Sequence, residues 1–134
     1  MICAQYTALA LGSCCVFSER VVNQKGHTTN FEIKRGYDEI VKNKSVLIVD
    51  DIINTGFSVR LTYEAIAKAG GKPIGIATYV NRGNVGASEL GVKNFIFLDE
   101  IHLPAWPGQN CPLCQSDKPI NIQYAYGAEY VAQN

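Results

Sequence analysis

The chain has little charge and no excess of either sign. Twelve Lys and Arg face twelve Asp and Glu, and charged residues make up 18% of the 134. A broad nucleic-acid or membrane surface needs a basic excess, so neither partner is expected and any phosphate binding has to be local. No apolar run approaches the roughly 18 residues of a membrane-spanning helix. Residues 1–17 are apolar but lack a basic start, so they read as a core helix and short strand, not a signal peptide. Histidine is scarce, and neither His27 nor His102 stands in a Ser or Cys nucleophile pattern, which argues against a hydrolase triad. The five cysteines (Cys3, Cys14, Cys15, Cys111, Cys114) are an odd number without a secretory context, so reduced thiols in a cytoplasmic protein are expected. Cys111-Pro-Leu-Cys114 is the one C-x-x-C, half of a zinc knuckle. With no second such pair and no H-x₃₋₅-H it is a weak Zn candidate beside a disulfide or a reduced turn.

What is present is an apolar content of 47% with Gly and Pro at regular punctuation, the composition of one globular domain. Residues 1–134 read as an α/β core over 1–98 and a Pro-rich C-terminal wrap over 99–134. The periodicity predicts a helix over Ile2 to Leu11 stopped by Gly12, and a buried strand at Cys14 to Phe17. A long polar loop follows over Ser18 to Gly36, with room for a small hairpin. Strands are expected at Val46 to Val49, Pro73 to Val80 and Asn94 to Leu98, and a closing one near Ile120 to Tyr126. Alternating strands and helices imply a mostly parallel sheet with helices on both faces. Right-handed crossovers then bring the loops after Phe17, Val49 and Val80 to one edge.

The richest stretch is Val46-Leu-Ile-Val-Asp50-Asp51-Ile52-Ile53-Asn54-Thr55-Gly56-Phe57-Ser58. An apolar run without alternation fits a strand buried on both faces. Asp50 and Asp51 then stand at its carboxyl end, where open α/β sheets bind ligands. Adjacent carboxylates repel unless sugar hydroxyls, a divalent cation or backbone N–H groups share them. Asn54 to Ser58 supply short donors and a Gly that lets a ligand approach the backbone, and they open onto a helix start, which favours an anion. Val59, Tyr63, Ile66, Ala67 and Ala69 mark the apolar face of that helix, and Gly70-Gly71 ends it.

These thirteen positions resemble the phosphoribosyl-pyrophosphate motif of the type I phosphoribosyltransferases. The resemblance implies that Asp50 and Asp51 face the ribose hydroxyls and that Asn54 to Ser58 wrap the 5′-phosphate. Three further segments are similar to orotate phosphoribosyltransferases. Val16-Phe-Ser-Glu-Arg20, the polar loop and Phe31-Glu-Ile-Lys-Arg-Gly36 look like that family's mobile catalytic loop with its flanks. Tyr79-Val-Asn-Arg82-Gly resembles the place of an Arg that binds the orotate carboxylate. Leu103 to Cys114 is similar to a C-terminal tail in a bacterial or archaeal subset.

The resemblance implies transfer of ribose 5-phosphate from phosphoribosyl pyrophosphate to orotate, with Mg²⁺ held through the substrate and not by direct protein ligation. Arg20, Lys25 and His27 are the candidates for neutralising the leaving pyrophosphate through an oxocarbenium-like transition state, and Asn54 and Arg82 for holding orotate. It also implies a homodimer, since the loop of one subunit reaches the neighbour's site. A non-catalytic phosphoribosyl-pyrophosphate or nucleotide-binding module and a purine or salvage phosphoribosyltransferase stand as alternatives; Arg82 argues against the latter, because a neutral purine has no carboxylate. Two departures bear on activity. Asn54 stands where the family usually has Thr, and the chain starts after the family's N-terminal hood and pyrophosphate-binding loop, so weak or no turnover of this chain alone is expected.

Overall fold

The computed structural model describes residues 2–24, 26–104, 106–125 and 127–133. Helix α1 (Ile2–Ala10) ends just before Gly12, with the Ser13 N–H reaching back to the Ala8 carbonyl at 2.8 Å. It is not the core helix expected, for it buries no residue fully. Its half-buried positions are the small ones, Cys3, Ala4, Thr7 and Ala8, whereas Ile2, Tyr6 and Leu9 are exposed. Small side chains let α1 approach β3 closely, at the cost of leaving its bulk outside.

The stretch Cys14 to Phe17 is not a strand. Pairing begins one residue later, in an antiparallel hairpin of β1 (Ser18–Val22) and β2 (Thr28–Ile33) that forms its own two-stranded sheet. Phe17 finds burial without a ladder, edge-on to the Tyr37 ring with centroids 5.1 Å apart. Cys14 is therefore exposed and Cys15 half-buried, against the expectation of two buried strand cysteines. The hairpin settles on α3, where the hydroxyls of Ser18 and Thr62 lie 3.1 Å apart, and Ile33 packs against the core.

After the short helix α2 (Tyr37–Val41), a three-stranded parallel sheet runs in the order β3 (Ser45–Ile53), β4 (Lys72–Asn81), β5 (Phe95–Glu100). This is a mixed α/β architecture, with α3 (Phe57–Lys68) crossing from β3 to β4. The strands outlast their apolar runs. β3 continues four residues past Val49, because Asp50, Ile52 and Ile53 keep pairing with Thr78, Val80 and Asn81. Pro73, which has no N–H for the ladder, sits where the β3–β4 register slips between Val46 and Leu47. Ile48, Ile53, Val59, Ile66, Ile76 and Leu90 form the buried cluster, each worth roughly 1.5–3 kcal/mol of burial. On α3, Ala67 is exposed and outside this face, while Val59, Ala65 and Ile66 are buried. Leu90 comes from the one-turn helix α4 (Ala87–Leu90).

The chain divides into two compact units, Met1–Leu103 and Pro104–Asn134. The second holds a 3₁₀ turn (Gly108–Asn110) and the helices α5 (Pro112–Gln115) and α6 (Gly127–Gln133). No strand forms over residues 120–125, and Tyr126 lies outside the described residues. The Asn121 side chain takes the N–H groups of Gln123 and Tyr124 at 2.8 and 3.3 Å, which turns the backbone and removes the donors a ladder needs.

Candidate functional site at the carboxyl end of the parallel sheet

Because β3 and β4 are parallel and in register to Ile53 and Asn81, their exit loops leave the same edge side by side. The β4 exit is bonded to the β3 exit: the N–H groups of Arg82 and Gly83 both donate to the Ile53 carbonyl, at 2.8 and 3.2 Å. Gly83 makes this approach possible. A Cβ there would lie 1.6 Å from the Asn54 carbonyl oxygen, so no other residue fits without moving one loop.

The β3 exit itself is short. Asn54 to Gly56 turn the chain into α3, and Gly56 has a left-handed φ of 72°, with its missing side chain replaced by Leu90 (2.3 Å from an added Cβ). The N-cap residue Gly56 offers no side chain to the first turn of α3, where the helix dipole favours an anion. The Thr55 hydroxyl accepts the Phe57 N–H at 3.3 Å and holds the turn. Together Asp50 and residues 52–59 enclose a cavity of about 140 Å³. A larger, open hollow of about 270 Å³ on α1, between Ile2, Gln5, Tyr6 and Leu9, carries no carboxylate, cation or imidazole.

The two carboxylates are not equivalent. Asp50 is half-buried and Asp51 exposed. Burial pushes the Asp50 carboxyl above its usual range; the Asp51 N–H, donating to Asp50 Oδ1 at 3.0 Å, opposes this, and the Asp51 charge adds to it. Asp51 in turn accepts the Ile52 N–H at 2.9 Å. A half-buried carboxylate beside a second one favours any ligand bringing hydroxyl donors or positive charge.

Two residues not singled out in the sequence hold this edge together. Asn81, 1% exposed, spans its own loop: its side-chain amide donates to the Val85 carbonyl at 3.0 Å and its Oδ1 accepts the Val85 N–H at 3.2 Å. Glu89 takes the Gly86 N–H at 2.6 Å and starts α4, which delivers Leu90 under Gly56. The signal for Asn81 was present, a two-way hydrogen-bonding residue closing an apolar run before Arg-Gly. Arg82, inside the Asn81–Val85 clamp, has its Nε buried with no hydrogen-bond partner among the described residues.

The remaining candidates lie elsewhere. Arg20 is exposed on β1 opposite Phe31, and His27 is exposed at the hairpin turn, its N–H on Asn23 Oδ1 at 3.0 Å; neither lines the cavity. Lys25 lies outside the described residues. The loop after Phe17 thus leads into the hairpin and does not leave the sheet edge. Its base is braced by ion pairs, Arg35 with Glu19 and Lys34 with Glu32. Cys111 and Cys114 sit in the second unit with free thiols, and no three-ligand metal cluster occurs among the described residues.

Residues 16–112 match the model of the phosphoribosyl transferase domain. The chain belongs to this family. As a phosphoribosyl transferase domain it is 32% identical over 120 residues to an orotate phosphoribosyltransferase of Caldanaerobacter subterraneus, aligning 90% of this chain with 58% of that protein. An orotate phosphoribosyltransferase of Maricaulis maris is 40% identical over 82 residues, which cover 61% of this chain and 41% of the relative. The chain thus spans about half the length of the curated relatives it matches. In fold it is similar to the crystal structure of orotate phosphoribosyltransferase from Aeropyrum pernix, with a TM-score of 0.53, 23% identity, and coverage of 72% of this chain and 52% of that one.

Proposed function

We propose that this phosphoribosyl transferase domain transfers ribose 5-phosphate from phosphoribosyl pyrophosphate to orotate, giving orotidine 5′-phosphate and pyrophosphate. The observation that carries the reading is Arg82. Its buried, unpartnered Nε sits on a loop bonded to the phosphate-type loop, and a guanidinium short of an acceptor is met by a planar carboxylate such as that of orotate. The relatives that bear the orotate phosphoribosyltransferase name support it.

In this reading Asp50 and Asp51 take the ribose hydroxyls, residues 54–58 wrap the 5′-phosphate at the start of α3, and Asn54 joins Arg82 on the base. Arg20, Lys25 and His27 serve the leaving pyrophosphate from the hairpin. Mg²⁺ comes in through substrate oxygens and not by direct protein ligation, which fits an edge whose two adjacent carboxylates, Asp50 half-buried and Asp51 exposed, are taken up by the substrate's hydroxyls. When bound, the ion supplies charge neutralisation of the pyrophosphate. A cytoplasmic homodimer with small-molecule substrates, without nucleic-acid or membrane partners, completes the proposal; no described helix is long and apolar enough to cross a membrane.

The test is pyrophosphate release with Mg²⁺ and orotate, adenine, hypoxanthine or uracil, run beside calorimetry of phosphoribosyl pyrophosphate binding. Release with orotate alone supports the proposal, and release with a purine redirects it to salvage. Binding without release makes the domain a sensor, and absence of binding removes both. A rate near that of a full-length relative would overturn the expectation of weak turnover.

A further inference from the structure

Cys111 directly precedes the one-turn helix α5, and the Gln115 N–H closes on the Cys111 carbonyl at 3.1 Å. That closure makes residues 111 and 114 neighbours on one face of the turn, with a helical i, i+3 separation of about 5–6 Å between Cβ atoms. Cα atoms roughly 4.4–6.8 Å apart can be bridged by a disulfide, a range that one helical turn reaches. Both thiols are free, with Cys114 exposed and Cys111 half-buried. Of the other cysteines, Cys15 Sγ reaches only the Val16 carbonyl among the described residues, at 3.9 Å.

We propose that Cys111 and Cys114 are a reversible dithiol site that exchanges with low-molecular-weight disulfides. The Cys111 thiolate attacks one sulfur of the small disulfide, forming a mixed disulfide and releasing one small thiolate. Cys114 then gives up its proton and attacks Cys111 Sγ, expelling the second small thiolate. The S–S bond of the small molecule is replaced by one in the protein; two protein thiols are oxidised, one disulfide is reduced to two thiols, and the two protons pass to the products. The roles follow from the surroundings. The Cys114 backbone N–H and the Cys114 thiol hold Cys111 below the usual thiol range, while the bond to Cys111 holds Cys114 above it. With no third metal ligand clustered among the described residues, the geometry favours a dithiol over a metal site. The site lies in the second unit and rests on nothing in the phosphate-site reading.

The test equilibrates the full chain in glutathione buffers from fully reduced to fully oxidised, traps free thiols by acid quench and alkylation, and maps the peptides. A Cys111–Cys114 linkage should form in oxidised buffer, vanish in reduced buffer, and be lost in both Cys111→Ser and Cys114→Ser. In the reduced chain Cys111 should be alkylated before Cys114, and C114S should stop at a mixed disulfide on Cys111. Thiols that stay free across the series, linkages that join two chains, or one Zn²⁺ bound per pair of chains through these sulfurs would each overturn the proposal. The peptide map of the unmutated chain decides the case even where a variant folds poorly.

Discussion

Asp50 carries the clearest tension between stability and binding. Burial raises its carboxyl above the ordinary 3.8, so the folded chain holds that proton more tightly than the unfolded chain does. The stability tied to the proton is fully present below the ordinary range and is lost as pH rises through the raised value. Asp50→Asn should therefore raise Tm at neutral pH, with the gain disappearing in acid, in calorimetric scans across pH. The same variant should bind phosphoribosyl pyrophosphate at least ~10-fold more weakly, since a hydrogen bond to a charged group is worth about 1.5–3 kcal/mol. Asn81 is the opposite kind of residue, buried and satisfied. Asn81→Ala removes both partners of Val85 and should cost about 2 kcal/mol in urea unfolding, the scale of stranding a polar group.

At the scale of elements, the site is two loops held in contact by an absent side chain. Gly83→Ala places a methyl against the Asn54 backbone, so one loop must move. Overpacking of this kind costs about 1–3 kcal/mol, and phosphoribosyl-pyrophosphate affinity should fall with it. Gly91→Ala is the control: its φ of 70° makes a side chain strained, yet nothing lies within 4 Å. It should lower stability by about 1 kcal/mol and leave calorimetric binding unchanged. The hairpin is a separate element, so Arg20→Ala should lower pyrophosphate release while phosphoribosyl-pyrophosphate affinity stays within about twofold, the signature of a contact made only in the transition state.

For the whole molecule, two units joined near residue 103 should respond separately to attack. Limited digestion with a low-specificity protease should cut first near residue 103, past the end of β5, and leave a resistant fragment carrying the phosphate loop. Initial cleavage inside β3–α3 would refute this. The β3–α3–β4 unit was legible in the sequence because strand run, helix face and closing glycines are local signals of matching period. Over residues 18–36 a polar loop with room for a hairpin was legible but the strand limits and register were not, because the segment contains few apolar positions to set a period.

The sequence by itself determined which chemistry the sheet edge carries: carboxylates, short donors and a glycine placed consecutively between an apolar run and an amphipathic helix, where backbone connectivity alone brings them together. Only the tertiary structure decided which carboxylate is half-buried, how far β3 extends, and that Asn81, Gly83 and Leu90 complete the site. Those depend on pairing with β4 and packing from α4, contacts between residues some thirty positions apart. Strand ends, close approaches and burial are set by partners that no local pattern names.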